Sequence, residues 1–178
     1  GYSNKNIRQS IKENPSILIK LLYNYINLVD SNYRVKIKYI IDSNIDNVKN
    51  IPSINMKYSL CGGFLLEMVE ILKINEKLLS LYKDFDKSLI IAGIVIKNIG
   101  LIDYFKDDTL TYSTMHYKDK SKITILGINL INQYFKFKKY NVIKLKLQNI
   151  ILFNDDCEDN NIRYINALYE LNKKITDI

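Results

Sequence analysis

The stretch GGFLLEMVEILKINEKLLSLYKDFDKSLIIAGIVIKNIG, residues 62 to 100, decides the fold class. Its apolar residues recur at spacings of three and four, which is the period of one face of an α-helix. The Gly62-Gly63 pair predicts a tight turn into a first helix. Asp86 is a natural N-cap and Gly100 a natural stop for a second helix. Two helices joined by so short an acidic turn are expected to pack as neighbours.

Helical spacing also dominates the rest of the chain. Asn14 and Pro15 are a natural N-cap and first residue for a helix over ILIKLLYNYI. Residues 34–54, RVKIKYIIDSNIDNVKNIPSI, alternate enough for a short strand to compete with a helix, and we favour the helix, with a break at Pro52. Three further helical patterns are ITILGINLINQYFKF, YNVIKLKLQNIILF and IRYINALYELNKKI. Residues 107–122 are polar and irregular, so a loop is predicted there.

Length and charge limit the class of protein. A chain of 178 residues with 47% hydrophobic content is long enough for one domain with a substantial core. The formal net charge of +7 favours nucleic acid, acidic proteins or anionic membrane surfaces as partners. The basic residues look scattered, and the abundance of Ile, Asn, Lys and Tyr is typical of a very AT-rich genome, so part of this charge reflects codon drift. No apolar run approaches the length of a membrane span, and we expect a soluble, intracellular protein of the cytoplasm or an organellar matrix.

The order of the helical segments resembles the HD-domain phosphohydrolases, and more narrowly the HD domain of YhaM-like three-prime-to-five-prime exoribonucleases. That family has motifs close to G-G-L-L-E-H-T and D-L-L-x-A-G-x-L-L-H-D-L-G-K, which align with GGFLLEMV and DKSLIIAGIVIKNIG in this chain. The resemblance implies a single all-α domain over residues 1–178, with lead-in helices over 1–55 and a bundle core over 56–178. About six to eight helices are expected.

The resemblance also implies that the family's metal ligands are lost. Lys97 and Asn98 stand where the family has its His-Asp pair, and no histidine remains at any ligand position. The residues that correspond to the degenerate site are Lys57, Tyr58, Glu67, Lys97, Asn98, Lys122, Asn154, Asp155 and Tyr169. A protonated lysine has three donors and no acceptor, so it cannot bind a cation. We therefore expect no metal, no cofactor and no catalytic residue.

Two interpretations remain for these replacements. Glu67 and Lys97 could form an ion pair between helices in place of the metal bridge. Alternatively, Lys57, Lys97 and Lys122 could form a cationic cup that holds a phosphate without cleaving it.

The run YFKFKKYNVIKLK, residues 134–146, is the candidate binding surface. Lysines that contact phosphates and aromatic rings that stack on bases are the combination used by single-strand binders. The candidate RNA-binding residues are Lys136, Lys138, Lys139, Lys144, Lys146, Tyr134, Phe137 and Tyr140. The structural alternative is a helix end whose rings are core and whose lysines are solvated.

Together these patterns predict an inactive HD-domain pseudoenzyme that acts as a scaffold on RNA or a ribonucleoprotein such as a ribosome. One alternative is a protein-interaction subunit without RNA contact. Another is a residual metal-dependent phosphodiesterase or exoribonuclease that uses Asp155, Asp156, Glu158 and His116.

Overall fold

The computed structural model describes residues 9–106 and 120–175. Within these ranges the chain forms α-helices and short turns, and its β-structure there is one isolated parallel bridge between Ser10 and Cys61. The helices are α1 (Pro15–Ile26), α2 (Ser31–Ser43), α3 (Ile45–Asn50), α4 (Gly63–Leu79), α5 (Lys87–Ile96), α6 (Leu101–Tyr104), α7 (Lys120–Tyr134), α8 (Asn141–Ile151) and α9 (Asn160–Ile175). Eight of them are longer than a single turn, which confirms the prediction of an all-α bundle.

Local sequence signals explain where several helices begin. The Asn14 side chain accepts a hydrogen bond from the Ser16 N–H, and Pro15 is the first residue of α1. The Asp86 carboxylate accepts from the Leu89 N–H at the start of α5, 2.9 Å away. Gly62 has φ +86°, a left-handed conformation that side chains disfavour, and it turns the chain into α4. Residues 34–54 form α2 and α3 and not a strand, with Pro52 following the end of α3.

Helix α5 is the centre of the bundle. Every residue from Ser88 to Ile96 is buried, as expected for a helix that is apolar on all sides. It contacts α1, α2, α4, α8 and α9. The buried apolar residues of the first helices and of the last ones belong to one connected core, so the lead-in helices pack on the same core as the rest.

Gly100 has a different role from the one predicted. Helix α5 ends at Ile96, and Gly100 has an ordinary right-handed backbone with φ −60°. A Cβ at Gly100 would lie 1.9 Å from the carbonyl oxygen of Ile123 in α7. The glycine therefore permits the close approach of α7, and it does not end α5 by adopting a left-handed conformation.

Among the described helices, none combines the length and the apolar character that crossing a bilayer requires.

Candidate functional site

Glu67 is a buried carboxylate on α4, with 4% of its surface exposed. The Ser53 hydroxyl donates a hydrogen bond to Oε1 of Glu67 over 2.7 Å, and the Asn55 side chain also bonds to the carboxylate. Burial raises the pKa of Glu67 to about 7, because removing the carboxylate from water disfavours its charged form more than these bonds favour it.

The neighbours of Glu67 form what we call the interior polar cluster, which lies where α4 meets α9 and the segment before α4. Its members are Ser53, Tyr58, Glu67, Glu70 and Asn172. The Tyr58 hydroxyl donates to Glu70 and accepts from Nδ2 of Asn172, the latter over 2.9 Å. Polar groups in this cluster thus satisfy one another within the protein.

Lys57, at the edge of this cluster, is already engaged. Its ammonium lies 3.5 Å from Oε2 of Glu70 and 5.0 Å from the centre of the Tyr58 ring. Lys57 and Tyr58 therefore both contact Glu70, and each is near enough to Glu67 for an electrostatic effect on a pKa.

Lys97 follows the last turn of α5 and is inserted among aromatic rings. Its ammonium lies 5.6 Å from the centre of the Phe153 ring and 5.8 Å from that of Tyr169. The Tyr169 hydroxyl donates to the carbonyl oxygen of Ile94 over 2.6 Å, which fixes the ring against α5. Burial lowers the pKa of Lys97 to about 8, although the nearby Glu170 carboxylate opposes this shift.

The predicted ion pair between Glu67 and Lys97 is wrong. Neither ion pair found within the described ranges joins these two residues. Tyr169 lies near both of them: its ring contacts Lys97, and the charge of Glu67 contributes to raising its pKa. Each charged group has its own partners instead. Glu67 accepts hydrogen bonds, whereas the Lys97 ammonium lies against aromatic rings.

The other residues that the HD resemblance assigned to a lost metal site lie in different environments. Asn98 is half-buried, whereas Asn154 and Asp155 are exposed beyond the end of α8. Lys122 is exposed on α7, with its ammonium 5.4 Å from the centre of the Tyr104 ring. The three lysines of the predicted cup thus each have a partner of their own.

The alternative catalytic residues do not form a recognisable metal site in the described part of the chain. Asp155, Asp156 and Glu158 are exposed after α8, and His116 lies outside the described residues. Within the described ranges, no group of three or more His, Cys, Asp and Glu residues could hold a metal ion.

The predicted RNA-binding run extends from the end of α7 through the following turn into the first half of α8. Lys136, Phe137, Lys138 and Lys139 are exposed. The remaining predicted residues, Tyr134, Tyr140, Lys144 and Lys146, are half-buried. The run therefore provides both exposed cations and an exposed ring.

Charge is concentrated in this part of the chain, which the sequence interpretation missed when it called the basic residues scattered. Residues 120–154 contain seven lysines and no aspartate or glutamate. The other 19 basic residues are matched by all 19 acidic residues. The net charge of +7 therefore equals the charge of this one segment.

Helix α2 extends the surface in a way that the linear sequence did not reveal. The Lys36 ammonium lies 5.7 Å from the centre of the Phe137 ring and 5.4 Å from that of Tyr140. Tyr39 meets Tyr134 edge to face at 5.5 Å between ring centres. We call these residues the basic aromatic face: Lys36, Tyr39, Tyr134, Lys136, Phe137, Lys138, Lys139 and Tyr140. The helical interpretation of residues 34–54 already put Lys36 and Tyr39 one turn apart, which was the available signal.

In comparisons with known proteins, no family model, curated protein or solved structure shows a significant match to this chain.

Proposed function

We propose that this protein is an HD-like pseudoenzyme that binds single-stranded RNA and acts as a scaffold in a ribonucleoprotein assembly. The observation that carries the proposal is the acid-free segment 120–154, whose turn presents exposed lysines beside an exposed phenylalanine.

The chemistry of the basic aromatic face supports RNA as the partner. Lysine ammonium groups neutralise phosphates and release condensed counterions, which provides affinity for any sequence. Within the described residues of segment 120–154, no carboxylate is present to repel phosphates. Aromatic rings add stacking that a single strand can use and a duplex cannot.

The chemistry at the HD-like positions supports the loss of catalysis. A metal-dependent phosphodiesterase holds divalent cations on imidazoles and carboxylates, so that a bound water becomes a nucleophile. At the position of the family's His-Asp pair, this chain has the Lys97 ammonium, held by Phe153 and Tyr169. A positive charge there would repel a cation, and its aromatic neighbours provide no replacement ligand.

Binding of a fluorescently labelled single-stranded RNA, followed by anisotropy over a series of salt concentrations, tests the proposal. Affinity should fall with salt at a log-log slope of about −0.7 for each phosphate contact. Changing Lys136, Lys138 and Lys139 together to Glu should weaken binding to every RNA sequence and leave the thermal midpoint nearly unchanged, since all three side chains are exposed.

The matched control changes Lys73, Lys77 and Lys83 to Glu, because these lysines are equally exposed on and after α4. It alters the net charge by the same amount, so a loss specific to the first triple variant identifies the surface. Equal binding by the parent and the first variant would contradict RNA binding there and would favour the protein-interaction alternative. Metal-dependent hydrolysis of the RNA by the purified protein would contradict the pseudoenzyme.

A further inference from the structure

A groove of about 240 Å³ lies between α2 and the end of α7. The side chains that line it are Lys36, Tyr39, Gln133, Tyr134, Lys136 and Phe137. Two cations, three aromatic rings and one amide thus surround a space that opens to solvent. Lys36 and Tyr39 lie on α2, which is outside the predicted RNA-binding run of residues 134–146.

Two of the rings have most of their surface in contact with solvent. Phe137 is 65% exposed and Tyr39 is 59% exposed. Leaving large apolar surface in water forgoes the stabilisation that burial would give. These rings therefore contribute little to the core and remain available for a ligand.

The exposed rings are nevertheless held in position. Phe135, two residues before Phe137, is completely buried and meets Tyr140 edge to face at 5.8 Å. The Tyr140 N–H donates to the Phe137 carbonyl oxygen over 2.9 Å, which closes the turn. Tyr134 contacts the edge of Tyr39. A preorganised ring loses little entropy when a base stacks on it.

We propose that this groove holds one unpaired base of a single-stranded RNA, stacked on Phe137 beside Tyr39, with the adjoining phosphates on Lys36 and Lys136. This inference rests on the proposed RNA-binding function and assigns the position of a base within that surface. The Lys36 ammonium lies over one face of the Phe137 ring, 5.7 Å from its centre, so the base stacks on the other face and the cation is close to the phosphate that follows it. The Gln133 amide has both donors and an acceptor for a base edge.

The strand then continues along α2. A second groove of about 400 Å³ is lined by Asn27, Arg34, Val35, Lys38, Tyr39 and Asp42, and it shares Tyr39 with the first. Arg34 and Lys38 supply two further cations to this path. Asp42 also lines this groove and accepts a hydrogen bond from the Tyr23 hydroxyl, and its single negative charge is outnumbered by Arg34 and Lys38.

A tryptophan at position 137 provides a direct test, because the chain contains no tryptophan of its own. In the Phe137→Trp variant, the indole keeps the capacity to stack, and its fluorescence reports contact with a base. A short single-stranded oligoribonucleotide should quench this fluorescence. An abasic oligomer of the same length should bind more weakly and leave the fluorescence nearly unchanged. Equal quenching by both oligomers would overturn the assignment.

Affinity measurements with Phe137→Ala provide the second test. Loss of one stacked base should weaken binding roughly 5-fold to 140-fold, with the slope of affinity against salt unchanged. The control is Tyr82→Ala, since Tyr82 is an aromatic residue with 51% exposure that lies after α4, outside the groove. Lys36→Gln should reduce the slope by about 0.7.

These outcomes separate the groove from the function on which it depends. If the Lys136, Lys138 and Lys139 variant loses RNA binding while Phe137→Ala binds like the parent, the base site is wrong and the RNA-binding function stands. If the parent protein does not bind RNA at all, both fail.

Discussion

Lys36 and Lys97 have nearly the same aromatic environment but belong to different elements, Lys36 to α2 and Lys97 to the end of α5. Each ammonium lies near two rings, at 5.4 Å and 5.7 Å for Lys36 and at 5.6 Å and 5.8 Å for Lys97. Lys97 follows the buried central helix α5, and burial lowers its pKa. Lys36 lies on α2 in an open groove whose Phe137 is mostly exposed.

The difference shows that a lysine beside aromatic rings has no function by itself. For Lys97 the rings replace part of the hydration that burial removed, so the contacts reduce a cost of folding. Lys36 lines a groove that opens to solvent, so its cation can exchange water for a phosphate. Both lysines are half-buried, so the surroundings distinguish them: Lys36 lines an open groove, whereas desolvation lowers the pKa of Lys97.

The largest effect should come from Glu67→Gln, in the interior polar cluster. The pKa of Glu67 is about 7 in the folded protein against an ordinary value of 4.5, so the folded state binds more protons than the unfolded chain between these values. The contribution of Glu67 to stability therefore decreases as pH rises through this interval. At about pH 8 the variant should be more stable by about 3 kcal/mol, and the difference should disappear below about pH 4.5. Denaturant unfolding across this pH range measures it.

The exposed Glu158→Gln serves as the control for Glu67→Gln, and its effect should stay small throughout the pH range. A Glu67→Gln variant whose unfolding free energy follows the parent at every pH would mean that the carboxylate is hydrated in solution.

Changing Lys97 or Lys36 to Met should have a smaller effect on the free energy of unfolding. The sign of the effect should be opposite for the two lysines. The pKa of Lys97 is about 8 when folded against 10.5 ordinarily, so its burial cost is fully present below pH 8 and is relieved as pH rises toward 10.5. The pKa shift corresponds to about 3 kcal/mol, and because the Lys97 side chain is only half-buried, screening by water leaves a smaller cost. Lys97→Met should therefore stabilise the protein by about 1 to 2 kcal/mol at neutral pH.

Lys36→Met should instead destabilise the protein by about 0.5 kcal/mol, since it removes the cation–π contacts of a half-buried lysine at an open groove. Thermal and denaturant unfolding of both variants at neutral and alkaline pH make the comparison. If both substitutions change stability equally and in the same direction, the contrast between the two lysines is wrong.

The smallest effect concerns coupling between Glu67 and Lys97. Because no ion pair joins them, a double-mutant cycle of Glu67→Gln and Lys97→Met at neutral pH should give a coupling energy below about 0.5 kcal/mol. A coupling of about 3 kcal/mol or more would show that a buried pair does form in solution.

The sequence predicted the helices because their signals are local. Spacings of three and four fix which face of a helix is apolar, and Asn14, Asp86 and Gly62 fix where three helices begin. The same reasoning identified the exposed lysines of the turn after α7, since consecutive charged residues at a helix end cannot all be buried. It also identified Lys97 as a cation at the end of an otherwise buried helix.

Tertiary packing decided the partners of these residues, because each contact joins positions that no local pattern connects. Lys97 and Phe153 are far apart in the sequence, and Lys36 and Phe137 are even further apart. Gly100 illustrates the same limit: its position suggested a helix end, yet its missing side chain matters because α7 passes against it. Periodicity specifies which faces are buried, whereas the choice of neighbour depends on how all the helices fill one core together. The sequence by itself therefore determined the helices and the charge, and the tertiary structure determined which lysine packs at the end of the buried helix and which one lines an open groove.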